Sequence, residues 1–294
     1  MKILTTFYQL NHLENLSAYA DGFLIGNDNF GTRLTHSFEI DEIVEALMIT
    51  EKFNKELFLM ANQMFTDEQL VYFEKWILKL PIEKFQGIIV TDLGALRVLE
   101  KLGQQKKVVY HPETLLTNAY DFNFLSSNNI QGAFVAKEIT LSDVLSIGDQ
   151  KKYQMFMVGH GHLNMFYSKR QLIDNFMVFT ESENPYHNKQ NMRLIEETRK
   201  EEPYPIFEDR AGTHVFRSQV STSLKHLDEL ESAVDYLIID TLFKDDHYAQ
   251  SVLNLYHNRL YDNQLIEKIK TDYQEAWDEG FFYKKTVYKQ KDKL

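Results

Sequence analysis

Leu57-Phe58-Leu59-Met60-Ala61, a capped stretch running from Thr66-Asp67-Glu68-Gln69 to Leu80, and then Gly87-Ile88-Ile89-Val90-Thr91 form the passage that decides the fold. Both outer runs are apolar almost throughout, the pattern of strands buried on two faces rather than of strands with one wet face. Between them Thr66 and Gln69 stand three residues apart as a capping box. The apolar residues that follow recur at helical spacing. Strand, helix and second buried strand make a βαβ unit with parallel strands.

Working outward, runs of the same kind recur at 3–7, 23–25, 108–110, 133–136, 155–158 and 237–239, which brings the number to eight. Helix-period segments lie at 40–53, 94–102, 117–127, 141–147 and 168–176, with Gly103 as a C-terminal stop. Strands and helices in this alternation predict an α/β fold, a (β/α)8 TIM-barrel-like single domain over 1–294, with an open doubly wound sheet as the other solution. The rhythm breaks over 180–218. That stretch is polar from Thr180 to Glu202, and then alternates on both sides of Arg210-Ala211-Gly212. It predicts a loop and β-hairpin inserted between the seventh and eighth strands.

The 294 residues carry 43 acidic and 32 basic side chains, a formal charge of −11. A molecule-wide negative field repels phosphate, which excludes broad adhesion to nucleic acid or anionic lipid. The tail 284–294 is the local exception, with five lysines against Asp292, and reads as a solvated end or a contact arm. There is no cysteine, so this chain supplies no disulfide, no thiol nucleophile, no Cys-held zinc and no thiolate-held iron–sulfur cluster. No apolar run approaches the ~18 residues of a membrane span, and the N-terminus lacks a signal-like core. A cytoplasmic protein with no membrane partner is expected.

Barrel chemistry sits where strands end in the C-terminal direction. The polar residues at those positions are Asn27, Asp28, Asn62, Gln63, Asp92, His111, Glu113, Lys137, Glu138, His160, His162 and Asp240. Among them His160 and Glu138 are expected as a catalytic acid–base pair, with His111 beside them. His111, Glu138 and His160 also have the composition of a two-His, one-carboxylate metal site; no metal is expected. Gly159 and Gly161 indicate backbone that bends or is closely approached, which favours one functional histidine, His160, over a chelating His160/His162 pair. No P-loop, GxGxxG, HExxH or GxSxG pattern is present, so nucleotide-fold and familiar hydrolase explanations have no motif behind them.

The run from His160-Gly161-His162-Leu163-Asn164 through Tyr167-Ser168-Lys169-Arg170-Gln171-Leu172 resembles the signature of the collagenase-like peptidases, peptidase U family 32. Blocks at 22–26, 89–94, 135–141, 193–197, 205–213 and 235–240 extend the likeness in the same order. The resemblance implies a barrel-like fold and, for much of the family, oxygen-independent hydroxylation of RNA bases or of a quinone precursor on a [4Fe–4S] cluster. It retains His160 and Glu138 and implies substrate-binding roles for Tyr167, Arg170, Glu208 and Asp209 alongside His111. The positions that match the cluster cysteines are Asn164, Gln171, Asn188 and Thr222. Hard, neutral oxygens do not replace thiolates on iron and sulfide, so no cofactor is expected.

The family also pairs short and long members in firmicute genomes, the long one carrying the cysteines and acting in tRNA wobble-uridine hydroxylation, and this chain resembles the short one. The function implied is a partner subunit in that hydroxylation, not catalytic alone, joined to a cysteine-bearing paralogue and meeting tRNA through the complex. A hydrolase using the His/carboxylate mouth and a small-molecule or peptide-binding barrel are the alternatives. Lacking thiolates, the purified protein should be colourless and hold less than about one-tenth of an iron per chain by elemental analysis. A brown protein with stoichiometric iron and sulfide would refute the loss of the cluster.

Overall fold

A strand buried on both faces needs a neighbour on each edge, and closure of the sheet supplies it. In the computed structural model, which describes residues 1–183 and 192–284, seven parallel strands follow one another in chain order. They are β1 (Lys2–Thr6), β2 (Gly22–Gly26), β3 (Glu56–Ala61), β4 (Gly87–Val90), β5 (Val108–Tyr110), β6 (Gly132–Phe134) and β7 (Gln154–Gly161). The chain then leaves the barrel for a four-stranded antiparallel sheet of β8 (Asn164–Ser168), β9 (Met192–Glu196), β10 (Arg199–Asp209) and β11 (Gly212–Phe216), in the order β8-β11-β10-β9. It returns through β12 (Val220–Thr222), antiparallel to β7. Strand β13 (Tyr236–Ile239) pairs in parallel with both β7 and β1 and closes an eight-stranded barrel. A short β14 (Trp277–Asp278) lies on β12.

Helices cover the outside: α1 (Leu13–Leu16), α2 (Ile40–Lys52), α3 (Asp67–Ile77), α4 (Leu93–Lys101), α5 (Ala119–Asn123), α6 (Leu141–Gln150), α7 (Leu172–Phe179), α8 (Leu227–Leu230), α9 (Asp246–His257) and α10 (Asn263–Asp272). The capping box forms as expected, with the Thr66 hydroxyl accepting from Gln69 N–H and the Gln69 side chain from Thr66 N–H at 2.8 Å. Leu4, Leu24, Phe58, Phe134, Phe156 and Tyr236 point inward and fill the barrel, while the intervening strand residues pack under the helices.

Two expectations need correction. The helix expected over 168–176 begins only at Leu172, because Asn164–Ser168 is strand β8, paired with β11 from Phe216↔Asn164 to Thr213↔Ser168. The hairpin itself is where the alternation put it, with Ile206↔Val215 and Glu208↔Thr213 in register. It is half of a larger unit that already starts at β8, because both edges of the hairpin recruit a further strand.

The backbone of β7 explains why its histidines face different ways. Val158 pairs with Ile238, whereas His160 pairs with Ile239, so two steps on β7 match one on β13 and Gly159 is the extra residue of a bulge. Val158 faces the barrel interior; after the bulge His160 shares the outward face of Ile239. Gly161 then bends the chain with φ 136°, and a Cβ there would lie 2.7 Å from the Asp240 carbonyl oxygen. Gly161→Ala should therefore cost about 2–4 kcal/mol in urea unfolding; a loss under ~0.5 kcal/mol would show that this bend is not constrained.

Candidate functional site

The cavity at the C-terminal mouth is assembled from strand ends and the loops that follow them. It encloses about 60 Å³ and is lined by Arg33, His111, Glu113, Lys137, His162, Asn164 and Asp240 over an apolar floor that includes Leu24, Met60 and Phe134. Glu113 is its centre. One carboxylate oxygen binds the Arg33 guanidinium and the other the Lys137 ammonium. These three side chains come from the turns after β2, β5 and β6, so one carboxylate ties three loops together. Both Arg33 and Glu113 hold left-handed backbone, with φ 55° and φ 66°. For non-glycine residues this conformation costs on the order of 1 kcal/mol or more each, and it persists where surrounding contacts over-determine it.

Charge states follow from burial and neighbours. Burial alone would raise the Glu113 carboxyl, but Arg33, His111 and Lys137 outweigh it and hold the group well below the usual carboxylate range. Burial pushes the Lys137 ammonium below its ordinary value, opposed by Glu113. His111 stacks on Phe134 with ring centroids 3.9 Å apart, and burial lowers it to about 4, so the ring is neutral at pH 7. His162 is lowered to about 4, chiefly by burial; its Nδ1–H donates to the Arg217 carbonyl at 2.9 Å. Asp240 is raised by burial to about 6 while accepting from Leu242 N–H at 3.0 Å. The mouth thus offers two tethered cations, a fixed carboxylate, neutral imidazoles and one carboxyl that titrates nearest neutrality.

The antiparallel sheet docks over this mouth through Asp209. Its carboxylate accepts from Thr32 Oγ1 at 2.8 Å and Arg33 N–H at 2.9 Å, the residues that present Arg33 to the cavity. Burial would raise Asp209, but the His214 ring and those donors hold it below its ordinary value. Tyr167 stacks on His214 at 4.9 Å and donates to the Ala211 carbonyl. Glu208 is turned to another task. Its oxygens accept from Ile173 N–H at 2.8 Å and Asp174 N–H at 3.1 Å, capping α7 from across the sheet. Arg170 is exposed and lies outside the cavity.

His160 and Glu138 are not brought together at the mouth. His160 is fully buried on the outer side of the barrel, 4.7 Å from the Trp277 ring, and burial lowers it to about 3. Tyr248 donates its hydroxyl hydrogen to Glu275 at 2.8 Å, so His160 Nε2–H is the donor in the 2.7 Å bond to Tyr248. Glu138 is half-buried and does not line the mouth cavity. The His111/Glu138/His160 set therefore does not converge, and among the described residues no three His, Asp or Glu side chains are grouped to hold a metal ion. Asn62 lines the mouth while accepting from Thr32 N–H at 3.0 Å, and Asn27, Gln63 and Asp92 lie outside the cavity in loop and cap bonds, as when Asp92 accepts from Gly94 N–H at 2.7 Å.

The family model of peptidase family U32 matches residues 10–290. The chain belongs to peptidase family U32. This U32 protein is 24% identical over 293 residues to tRNA hydroxylation protein P2 of Bacillus subtilis (strain 168), a match covering 93% of this chain and 94% of that protein. Its fold is similar to the solved U32 peptidase Mk0906, with a TM-score of 0.50 at 12% identity over 82% of this chain and 92% of that one.

The positions that the resemblance aligns with cluster cysteines do not fit iron and sulfide. Asn164 lines the mouth and donates to the Phe166 carbonyl at 3.2 Å. Gln171 donates to the Asp209 carbonyl at 2.7 Å, and Thr222 bonds Tyr256 at 2.9 Å. Asn188 lies outside the described residues. Amide and hydroxyl groups already engaged in separate bonds offer neither the softness nor the charge that iron and sulfide require.

Arg33 is the mouth residue that the sequence reading missed. The signal for it was present: it is the one Lys or Arg between Lys2 and Lys52, in the loop after a buried strand. Glu113→Gln should leave two nearly buried cations without their counter-charge and cost about 3–5 kcal/mol in urea unfolding. A change below ~1 kcal/mol would show the triad to be a solvated surface network.

Proposed function

We propose that this U32 protein is the cysteine-free partner subunit in oxygen-independent hydroxylation of the tRNA wobble uridine. The observation that carries the reading is its near full-length similarity to tRNA hydroxylation protein P2 in a chain with no cysteine. The geometry supports it in two ways. The barrel mouth is intact and preorganised, held by the Glu113 triad and roofed by the sheet that carries Asp209. The acid–base pair expected of a hydrolase is not assembled there, since His160 faces outward and Glu138 lies off the cavity. In this reading the chain contributes binding and orientation, and a cysteine-bearing relative contributes the redox chemistry. Among the described residues no helix is long and apolar enough to cross a membrane.

With a net charge of −11 the isolated chain should bind tRNA weakly, and that binding should fall steeply with salt, because each phosphate contact releases a counterion. Mixed with a cysteine-bearing family member it should co-elute as one complex and bind tRNA at least ~10-fold more tightly. Truncation of residues 284–294 should reduce the salt slope if the lysines there make the contacts. Salt-dependent tRNA titrations of the chain, the truncation and the mixture check all three. Tight, salt-insensitive binding by the isolated chain, or no gain on mixing, would contradict the proposal.

A further inference from the structure

Helix α7 is built as an interior helix and stands on the surface. Six of its eight residues are apolar, yet only Ile173 is buried. Phe176, Val178 and Phe179 are 60%, 79% and 85% exposed. A helix apolar on all sides is one that something covers.

The sheet beside it extends the same surface. Strand alternation sends Phe216 toward the mouth cavity and Val215 away from it. On that far face Val215, Phe166, Met192 and Leu194 join α7 to enclose an apolar groove of about 610 Å³. With the exposed Phe176, Val178 and Phe179 beside it, the groove forms one continuous apolar surface rather than scattered single residues.

The rim of the groove limits its occupant. The segments that supply the groove carry exposed glutamates: Glu181 and Glu183 follow the end of α7, Glu196 and Glu197 follow Leu194, and Glu201 and Glu202 stand further along the same hairpin. They outnumber Lys169, Arg170, Arg199 and Lys200 of the same segments, Arg193 lines the groove itself, and the whole chain carries −11. A second copy would bring one acidic rim onto another, which disfavours self-pairing.

We infer that this groove is the docking face for a different protein, which inserts aromatic or aliphatic side chains flanked by lysines or arginines. The inference rests on the partner-subunit reading and assigns it a surface, on the face of the cap opposite the mouth. Docking there leaves the Glu113 cavity open to substrate.

The test uses the full-length chain and a purified cysteine-bearing U32 family member, with affinity measured by calorimetry and self-association by sedimentation velocity. The double substitution Phe176→Glu/Phe179→Glu should weaken the complex at least about 30-fold. Its melting temperature should be unchanged, because both side chains are mostly exposed. Phe124→Glu, at an exposed phenylalanine away from the groove, should leave affinity as it was. Glu181→Lys/Glu183→Lys should weaken binding ~3–10-fold at low salt, and the difference should fade at high salt.

A wild-type complex that tolerates the α7 double substitution would overturn the inference and leave the proposed function standing. Absence of any wild-type complex would overturn both. Self-association of the chain alone, abolished by the same substitution, would make a second copy the occupant and overturn the assignment to a different partner.

Discussion

A single carboxylate, Glu113, holds the guanidinium of Arg33 and the ammonium of Lys137 across the mouth of the barrel. Almost every feature of the candidate site depends on it. The three loops concerned follow β2, β5 and β6, and each also sends apolar side chains into the core, among them Phe30, Phe38, Leu116 and Ile139. A near-buried charge cluster bridges the three loops, and removal of its carboxylate would leave two cations without a counter-charge. The left-handed backbone at Arg33 and Glu113 is the conformational cost of that arrangement. The antiparallel sheet is coupled to the same centre, since Asp209 holds the backbone that presents Arg33.

The barrel was legible in the sequence because it rests on short-range signals. Runs such as Leu57–Ala61 and Gly87–Thr91 are apolar throughout, and a run buried on both faces has few ways to be satisfied outside a parallel sheet. What escaped the reading depended on contacts distant in sequence. Asn164–Ser168 becomes a strand through pairing with β11, some fifty residues later. The orientation of His160 turned on the bulge at Gly159. Counting by two from Val158 puts His160 inside the barrel, and one extra residue puts it outside. The glycines on either side of His160 signalled irregular backbone, but not the direction of the turn.

The site residues divide along the same line. His111 lies in the cavity because it directly follows β5, where the strand end alone fixes its place. Glu208 and Asp209 are neighbours with unrelated tasks, one capping α7 and the other steadying the Arg33 loop, a distinction that only the packing of the sheet makes. Asn164, Gln171 and Thr222 each spend a polar group on a separate hydrogen bond within the frame. The barrel has a charge-lined mouth, supplies no thiolate and exposes an apolar helix on its cap. The mouth cavity and the exposed apolar face of the cap lie on opposite sides of the antiparallel sheet.

The mouth depends on Glu113 staying ionised between two cations beside a neutral His111. NMR titration of the Glu113 side-chain carboxyl, with the His111 ring followed in the same samples, measures it directly. Glu113 should show no titration through the ordinary glutamate range near ~4.3, and His111 should be half-protonated at about 4. Glu113 titrating near ~4.3 and His111 near ~6.5, as in unstructured peptides, would contradict it.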